Sequence, residues 1–538
     1  MEDKKAVAFD PLDMNNYKLE KLPKIQKSPF EKWMARLGGP LAVIVFVLIY
    51  WFGDFNFLNN INPDSLDPDS AGAAIARYKQ VGLDDFIRIN YAMLAIFAAA
   101  IILWITEAVP NYLTSLMVIL AMVLTKVTSD QVAYAQLGHP VMWLNILSFV
   151  LASMLVKTQV AKRFALWFVI RFGKNATWVI FSFIVINIVL SAFISATTAK
   201  ATILLPIFMV IAAIYGARGG DHRNNFGRNL VLQNLFQINV GASGFLTGSG
   251  ANLLAASMIA GSMGLTMFSY QDWFVAAFPL MLILVVIGWF VGTKIIFPLK
   301  PEERKPQIEG GMDYLRKELA AMGKMKPIEW RAIAIFVGVL AMWATDKQHG
   351  INQTAVAFIG AVVALLPGIG VVKWNDVDIP WHLMLFSAGA YTLGAGLEAT
   401  GIANTSVDAI FTSVGLDAST PFWKIYMILT ALMLFSALLF QSKTMRAMIF
   451  IPIAIGVEQR FGYPTMSLSF PLALLIEHVY VLPFNSKPAA LLYTTNQYSI
   501  IDGAKFGLTM MVITYGMIIV WGDTVLRWLG YTVNGVFF

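Results

Sequence analysis

Residues 193–200 read FISATTAK and lead into ATILLPI, and residues 440–446 read FQSKTMR and lead into AMIFIPI. Each is a short polar run at the tip of a hairpin of apolar stretches. In hydrocarbon an unpaired backbone amide or carbonyl costs several kcal/mol. Such breaks persist where they bind something, line a cavity or lie buried against protein. The two tips recur about one half-chain apart, which points to an internal duplication with a site built at its centre.

Composition supplies the setting. Of 538 residues, 58% are hydrophobic and only 13% charged, against roughly 25% charged in a soluble domain. The chain therefore reads as an all-α polytopic membrane protein in the lipid bilayer, multi-pass in the cell inner (plasma) membrane. The first apolar stretch follows nearly forty largely polar residues, too far from the start for a signal peptide. The net charge of +7 does not indicate a nucleic-acid partner, because the basic residues sit mostly in loops where they set topology. Absence of cysteine removes disulfides, thiolate catalysis and cysteine-ligated metal. No HExxH, GxGxxG or Walker A pattern is present, and the glycine-rich GASGFLTGSGAN lacks the phosphate-loop lysine. An enzyme, a cofactor and a resident metal are thus not expected.

Apolar elements fall near 39–58, 87–107, 110–127, 139–158, 176–194 with 201–215, 230–268 and 277–297. A second set lies near 331–346, 353–371, 380–398, 423–440 with 447–459, 470–500 and 506–528. Two of these, 230–268 and 470–500, are too long for one span and carry polar breaks. Lys162, Arg163, Arg171 and Lys174 precede the first hairpin, and Arg218, Arg223 and Arg228 follow it. If both clusters are cytoplasmic, residues 176–215 enter and leave on one side, with 195–200 at the turn. The basic linker 298–330 counts as cytoplasmic too, whereas Asp64, Asp67 and Asp69 place 59–86 outside.

The duplication is visible elsewhere. Trp104-Ile-Thr-Glu107 is echoed by Trp343-Ala-Thr-Asp346, and Trp143-Leu-Asn-Ile-Leu-Ser148 loosely by Trp381-His-Leu-Met-Leu-Phe386. An odd number of crossings per copy inverts the second relative to the first. The expected organisation is a cytoplasmic N-terminal segment 1–38, a first helix and outer linker 39–86, and a first inverted repeat 87–297. The linker 298–330, a second repeat 331–530 and a tail 531–538 follow. Inverted repeats with discontinuous helices meeting near the midplane are a recurring transporter construction. A channel or a membrane receptor is the competing class.

Substrate-binding candidates are Ser195, Thr197, Thr198, Asn252, Ser442, Lys443, Thr444, Arg446, Asn485, Ser486 and Lys487. Hydroxyls at the tips, and the free N–H groups of helices leaving them, suit an anion. Gly248 and Gly250 permit tight backbone approach in the first break, and Pro488 interrupts helical bonding in the second. Lys200, Lys443, Arg446 and Lys487 sit at or just past the breaks, where an intramembrane cation needs water, an anion or another partner. Glu477 and His478 interrupt LSFPLALLIEHVYVLPF and are candidates for proton coupling or for a structural pair with a lysine. Glu107 and Asp346 lie at span ends and read as capping or packing groups. Trp143 and Trp381 read as interface anchors.

With these elements in place the chain resembles the divalent anion/sodium symporter family over roughly 39–530, on the WxTEAxP element Trp104–Pro110, the paired tips and the two breaks. The resemblance implies a homodimeric elevator-type transporter of small carboxylate anions, di- or tricarboxylates, or of sulfate. Na+ would be the coupling ion, with anion exchange or proton coupling as alternatives. It also implies sodium-binding candidates Thr197, Thr198, Ser249 and Asn252. This sequence departs from the family pattern. Ala196-Thr197-Thr198 and Ser442-Lys443-Thr444 both lack the asparagine of the family's Ser-Asn-Thr tips. The first break becomes Gly248-Ser249-Gly250-Ala251-Asn252 and the second Asn485-Ser486-Lys487-Pro488-Ala489. Lys443, and with it Lys487, is expected to supply positive charge where relatives recruit sodium.

Overall fold

The computed structural model describes residues 12, 14, 29–59, 61, 68–173, 175–265, 267–308, 311–402, 420–440, 442–532 and 534–537. Most of the expected segment 1–38, together with Asp64, Asp67, Lys174 and Gln441, lies outside them. The fold is all-α; among the described residues the β pairing is an isolated bridge, Gly219 with His222. Seven described helices are long and apolar enough to cross a membrane. Leu41, Val337 and Val512 on these helices, and Leu120 and Val362 on two shorter apolar ones, are exposed, the surface expected toward lipid, where no backbone group is left to seek water.

In chain order the first half runs α1 (Pro29–Phe52), α2 (Pro68–Val81), α3 (Leu83–Thr106), α4 (Asn111–Leu124), α5 (Pro140–Thr158) and α6 (Val160–Phe172). The first hairpin follows as α7 (Ala176–Phe193) and α8 (Thr197–Ile214), then α9 (Asn225–Ser243), α10 (Gly250–Ser262) and α11 (Tyr270–Phe290). A linker helix, α12 (Gly311–Ala321), leads to α13 (Pro327–Ala344), α14 (Gln353–Leu365) and α15 (Trp381–Thr400). The chain closes with α16 (Phe422–Phe435), α17 (Lys443–Phe461), the short α18 (Lys487–Tyr493) and α19 (Ile500–Asp523).

The echoed tryptophans behave alike. Trp104 Nε1 donates to the carbonyl of Asn111, the first residue of α4, at 3.4 Å, and Trp343 Nε1 to that of Gln353, the first residue of α14, at 3.0 Å. Each indole closes the turn between its two helices while burying its ring. The halves then interlock, α4 packing on α15 and α14 on α5. Ser115 Oγ donates to Phe386 O, and Thr354 Oγ1 to Pro140 O, each at 3.1 Å. Asp346, at the end of the second copy's motif, accepts from Tyr270 N and Gln353 Nε2, both at 2.7 Å, and so fixes the start of α11.

Both ends of the α7–α8 hairpin meet the linker. Ahead of it, Arg163 donates to the carbonyls of Gly323 and Met322 and pairs with Glu329 at 3.1 Å, while Lys162 pairs with Glu318 at 3.3 Å. Behind it, Gln307 N donates to Ile214 O at 2.7 Å and Asn225 N to Glu303 Oε1 at 2.8 Å. The chain thus enters and leaves this hairpin beside one basic segment.

Two expected elements need correction. Within 230–268, α9 is not apolar: Asn229, Gln233, Asn234, Gln237 and Asn239 are all buried. Asn187 of α7 donates to Asn234 Oδ1 at 2.9 Å and Gln237 Oε1 at 3.0 Å, so protein rather than lipid surrounds these amides. Within 470–500 the chain is helical only over Ser469–Leu474 and α18, and the segment between them is irregular. Pro483 withholds a backbone donor there, and Arg446 donates to the carbonyls of Leu475 and Ile476 from the side.

Candidate functional site

The sequence places a serine just before the helix at three of the four breaks. Ser249, Ser442 and Ser486 cap α10, α17 and α18, their hydroxyls accepting from Asn252 N, Met445 N and Ala489 N, each at 3.3 Å. Such a cap satisfies a donor the first turn leaves open. The two breaks share their backbone: Ser249 and Ser486 both have φ −157° and ψ 157°. At Ala196, before α8, no side chain caps the helix. Gly248 is held where a Cβ would stand 2.2 Å from Ala242 O, whereas at Gly250 a Cβ would reach only Asn145 Oδ1, at 3.4 Å. The close approach expected of both glycines is required at the first alone.

All four breaks open on one cavity of about 1290 Å³. Ser195, Thr197 and Thr198 line it from the first tip, and Ser442, Lys443 and Thr444 from the second. Ser249 and Gly250 come from one break, Ser486, Lys487 and Pro488 from the other. Lys487 is exposed in the cavity and forms no ion pair among the described residues.

Behind the wall these elements converge on one ion pair. Lys443 Nζ lies 2.6 Å from Glu477 Oε2 and donates to Thr197 Oγ1 at 3.2 Å. Ser249 Oγ donates to Glu477 Oε1 at 2.5 Å. The Glu477 side chain is wholly buried and that of Lys443 is 15% exposed, so the cavity meets the ammonium with the carboxylate behind it. One carboxylate thereby ties the second tip to the first break, and the lysine ties it to the first tip.

The remaining candidates stand outside the lining. Arg446 is buried; its Nε donates to Ser436 Oγ at 3.0 Å, Nη1 to Ile476 O at 3.0 Å, and Nη2 to the carbonyls of Met433 and Leu475. Its guanidinium holds the irregular backbone ahead of Glu477. Asn485 accepts from Leu482 N at 2.7 Å and donates to Ala437 O at 2.5 Å, a turn and a bridge to the second hairpin. Asn252 donates to Ala242 O and Phe245 O across the first break, while its buried Oδ1 has no hydrogen-bond partner. His478 points to Tyr480, Nδ1 to hydroxyl 3.1 Å. Lys200, fully buried, donates to Ser191 Oγ at 2.9 Å. Of the two proton-coupling candidates, only Glu477 touches the residues of the tips.

Glu107, Asn145 and His382 also line the cavity and were not among the binding candidates. Glu107 sits at the left-handed C-cap of α3, φ 45°, three residues before Pro110. The acidic residue within WxTEAxP is the signal that could have found it.

The profile of the sodium:sulfate symporter transmembrane region matches residues 85–532 of this chain. A protein of Cupriavidus necator described as a membrane protein is 26% identical, covering 82% of this chain and 88% of its own length. The sodium-dependent dicarboxylate transporter SdcS of Staphylococcus saprophyticus is 24% identical, over 80% of this chain and 86% of its own. The solved YdaH transporter of Alcanivorax borkumensis aligns at 13% identity and TM-score 0.43, over 94% of this chain and 99% of that one, too distant to add to the assignment.

Proposed function

The chain belongs to the sodium:sulfate symporter family of membrane anion transporters, and from that premise we propose that it carries di- or tricarboxylate anions by an elevator movement of inverted repeats. One observation carries the reading: both tips and both breaks face a single cavity that holds an exposed Lys487 and the ammonium of Lys443. An anion entering there meets a free cation and hydroxyls from both halves. The matched Trp104 and Trp343 bonds and the matched Ser249 and Ser486 backbone support the duplication. The shared linker contacts of the α7–α8 hairpin support a re-entrant first tip. In this reading the first repeat spans 87–297 and the second 331–530, and the carrier is a homodimer in the inner membrane.

Coupling differs between the halves. At the first, Ser195 Oγ and Asn252 Oδ1 are buried oxygens without hydrogen-bond partners, donors of the kind a sodium ion takes. At the second, the ammonium of Lys443 already supplies the positive charge, paired at 2.6 Å. Sodium is therefore coupled at fewer sites than in a carrier with asparagine at both tips, or not at all if the carrier exchanges anions. The test is counterflow of radiolabelled succinate, malate and citrate in proteoliposomes, with and without sodium, and with sulfate as competitor. Sodium dependence that is weak or absent in the wild type and emerges in Lys443→Asn is the expected result. Identical sodium dependence in both would sink the substitution of lysine for the ion.

A further inference from the structure

The site contains an anion of its own. Glu477 is the buried carboxylate at the centre of the four breaks, and it faces charged groups from several elements. Lys443 and Arg446 reach it from α17, Lys200 from α8, and His478 and Tyr480 stand beside it on its own segment. Arg446 is occupied by carbonyls and Ser436, and Lys200 by Ser191, so neither bonds the carboxylate directly. Lys443 does, at 2.6 Å; it also donates to Thr197, and its side chain, 15% exposed, lines the cavity. A substrate carboxylate that reaches Lys443 from the cavity must therefore share one ammonium with Glu477.

Two like charges on one cation repel, and the repulsion scales with the charge the substrate brings while falling only slowly with distance in a water-poor interior. We infer that Glu477 is a specificity-determining residue. As a resident anion behind Lys443 it limits the negative charge the site accepts, so that dianions are taken in preference to trianions. The inference rests on the carboxylate reading above and adds to it the charge class of the substrate.

Replacing Glu477 with glutamine keeps the shape and, through its amide oxygen, an acceptor for Lys443 while removing the charge; toward Ser249 the bond reverses, the amide NH2 donating to the hydroxyl. Uptake of succinate and citrate is compared in proteoliposomes at about pH 8, where both are fully ionised. Glu477→Gln is expected to raise the citrate-to-succinate preference by about tenfold or more, and Glu477→Asp to keep the wild-type ratio. An unchanged ratio in Glu477→Gln, or an equal shift in Glu477→Asp, overturns the inference. Should Glu477→Gln not assemble, the wild type decides: between about pH 8 and pH 6 citrate uptake is expected to rise in step with its singly protonated dianion. Citrate uptake that instead follows the trianion overturns it. Wild-type protein that exchanges neither acid would overturn the carboxylate reading itself, an outcome distinct from an unchanged ratio.

Discussion

Thr197 and Lys443 occupy corresponding places in the two tips, second in Ala196-Thr197-Thr198 and second in Ser442-Lys443-Thr444, and they touch at 3.2 Å. Around Thr197 the first tip and first break present hydroxyls and no charge to the cavity, the tip's lysine, Lys200, being turned back onto Ser191, and the charge this half brings to the lining is the acidic Glu107. Around Lys443 the second half is charged, with Glu477 behind and Lys487 at the cavity. The backbone differs too. The first break follows a 19-residue helix studded with amides, the second a long irregular stretch braced by Arg446. The two breaks nonetheless share the backbone of their serine caps, and the two halves diverge in the charges they present. The hydroxyls that bond the buried pair come from the first half, Thr197 at the start of α8 and Ser249 ahead of α10.

The largest effect should come from breaking the charged side. Lys443→Met leaves Glu477 buried without its cation, and losing one partner of such a pair costs about 3–5 kcal/mol. Thermal unfolding in nanodiscs should show that loss, with much of it recovered when Glu477→Gln is added. The matching change on the neutral side, Thr197→Val, removes one hydrogen bond worth about 1 kcal/mol. Equal losses in the two variants would erase the asymmetry. Next in size is the first break itself: Gly248→Ala drives a Cβ against Ala242 O and should cost about 1–3 kcal/mol by overpacking, while Gly250→Ala, two residues on, should be near neutral. Lys487→Ala should leave stability almost unchanged, since this lysine is exposed and unpaired among the described residues. The apparent affinity for a dianion should fall by about tenfold, the worth of one charge-assisted contact, read as a shift in KM for counterflow.

Much of the scaffold was legible in the residues. The expected stretches 87–107 and 139–158 coincide closely with α3 and α5, and 506–528 overlaps α19 with its start set too late, because hydrophobic length is a local property that the bilayer reads directly. The polar tips announced themselves because polarity inside apolar sequence demands a partner. The amides of α9 were harder to place, since Asn229 to Asn239 sit amid apolar neighbours and only α7, through Asn187, shows what satisfies them. The irregular course of 475–486 was likewise hidden: Pro488 forecast an interruption but not its extent.

By itself the sequence determined that this is a polytopic helical membrane protein with paired breaks rich in hydroxyls and cations. Those conclusions follow from composition and from patterns contained within single segments. Only the tertiary structure decided which cation is free. Lys443 and Glu477 are 34 residues apart, and Glu477 and Ser249 are 228 apart. A side chain's charge is written in its own codon position, but its neutralisation depends on what the fold brings within about 3 Å. For that reason Lys487, and not Arg446 or Lys200, is the cation left facing the cavity without a partner among the described residues.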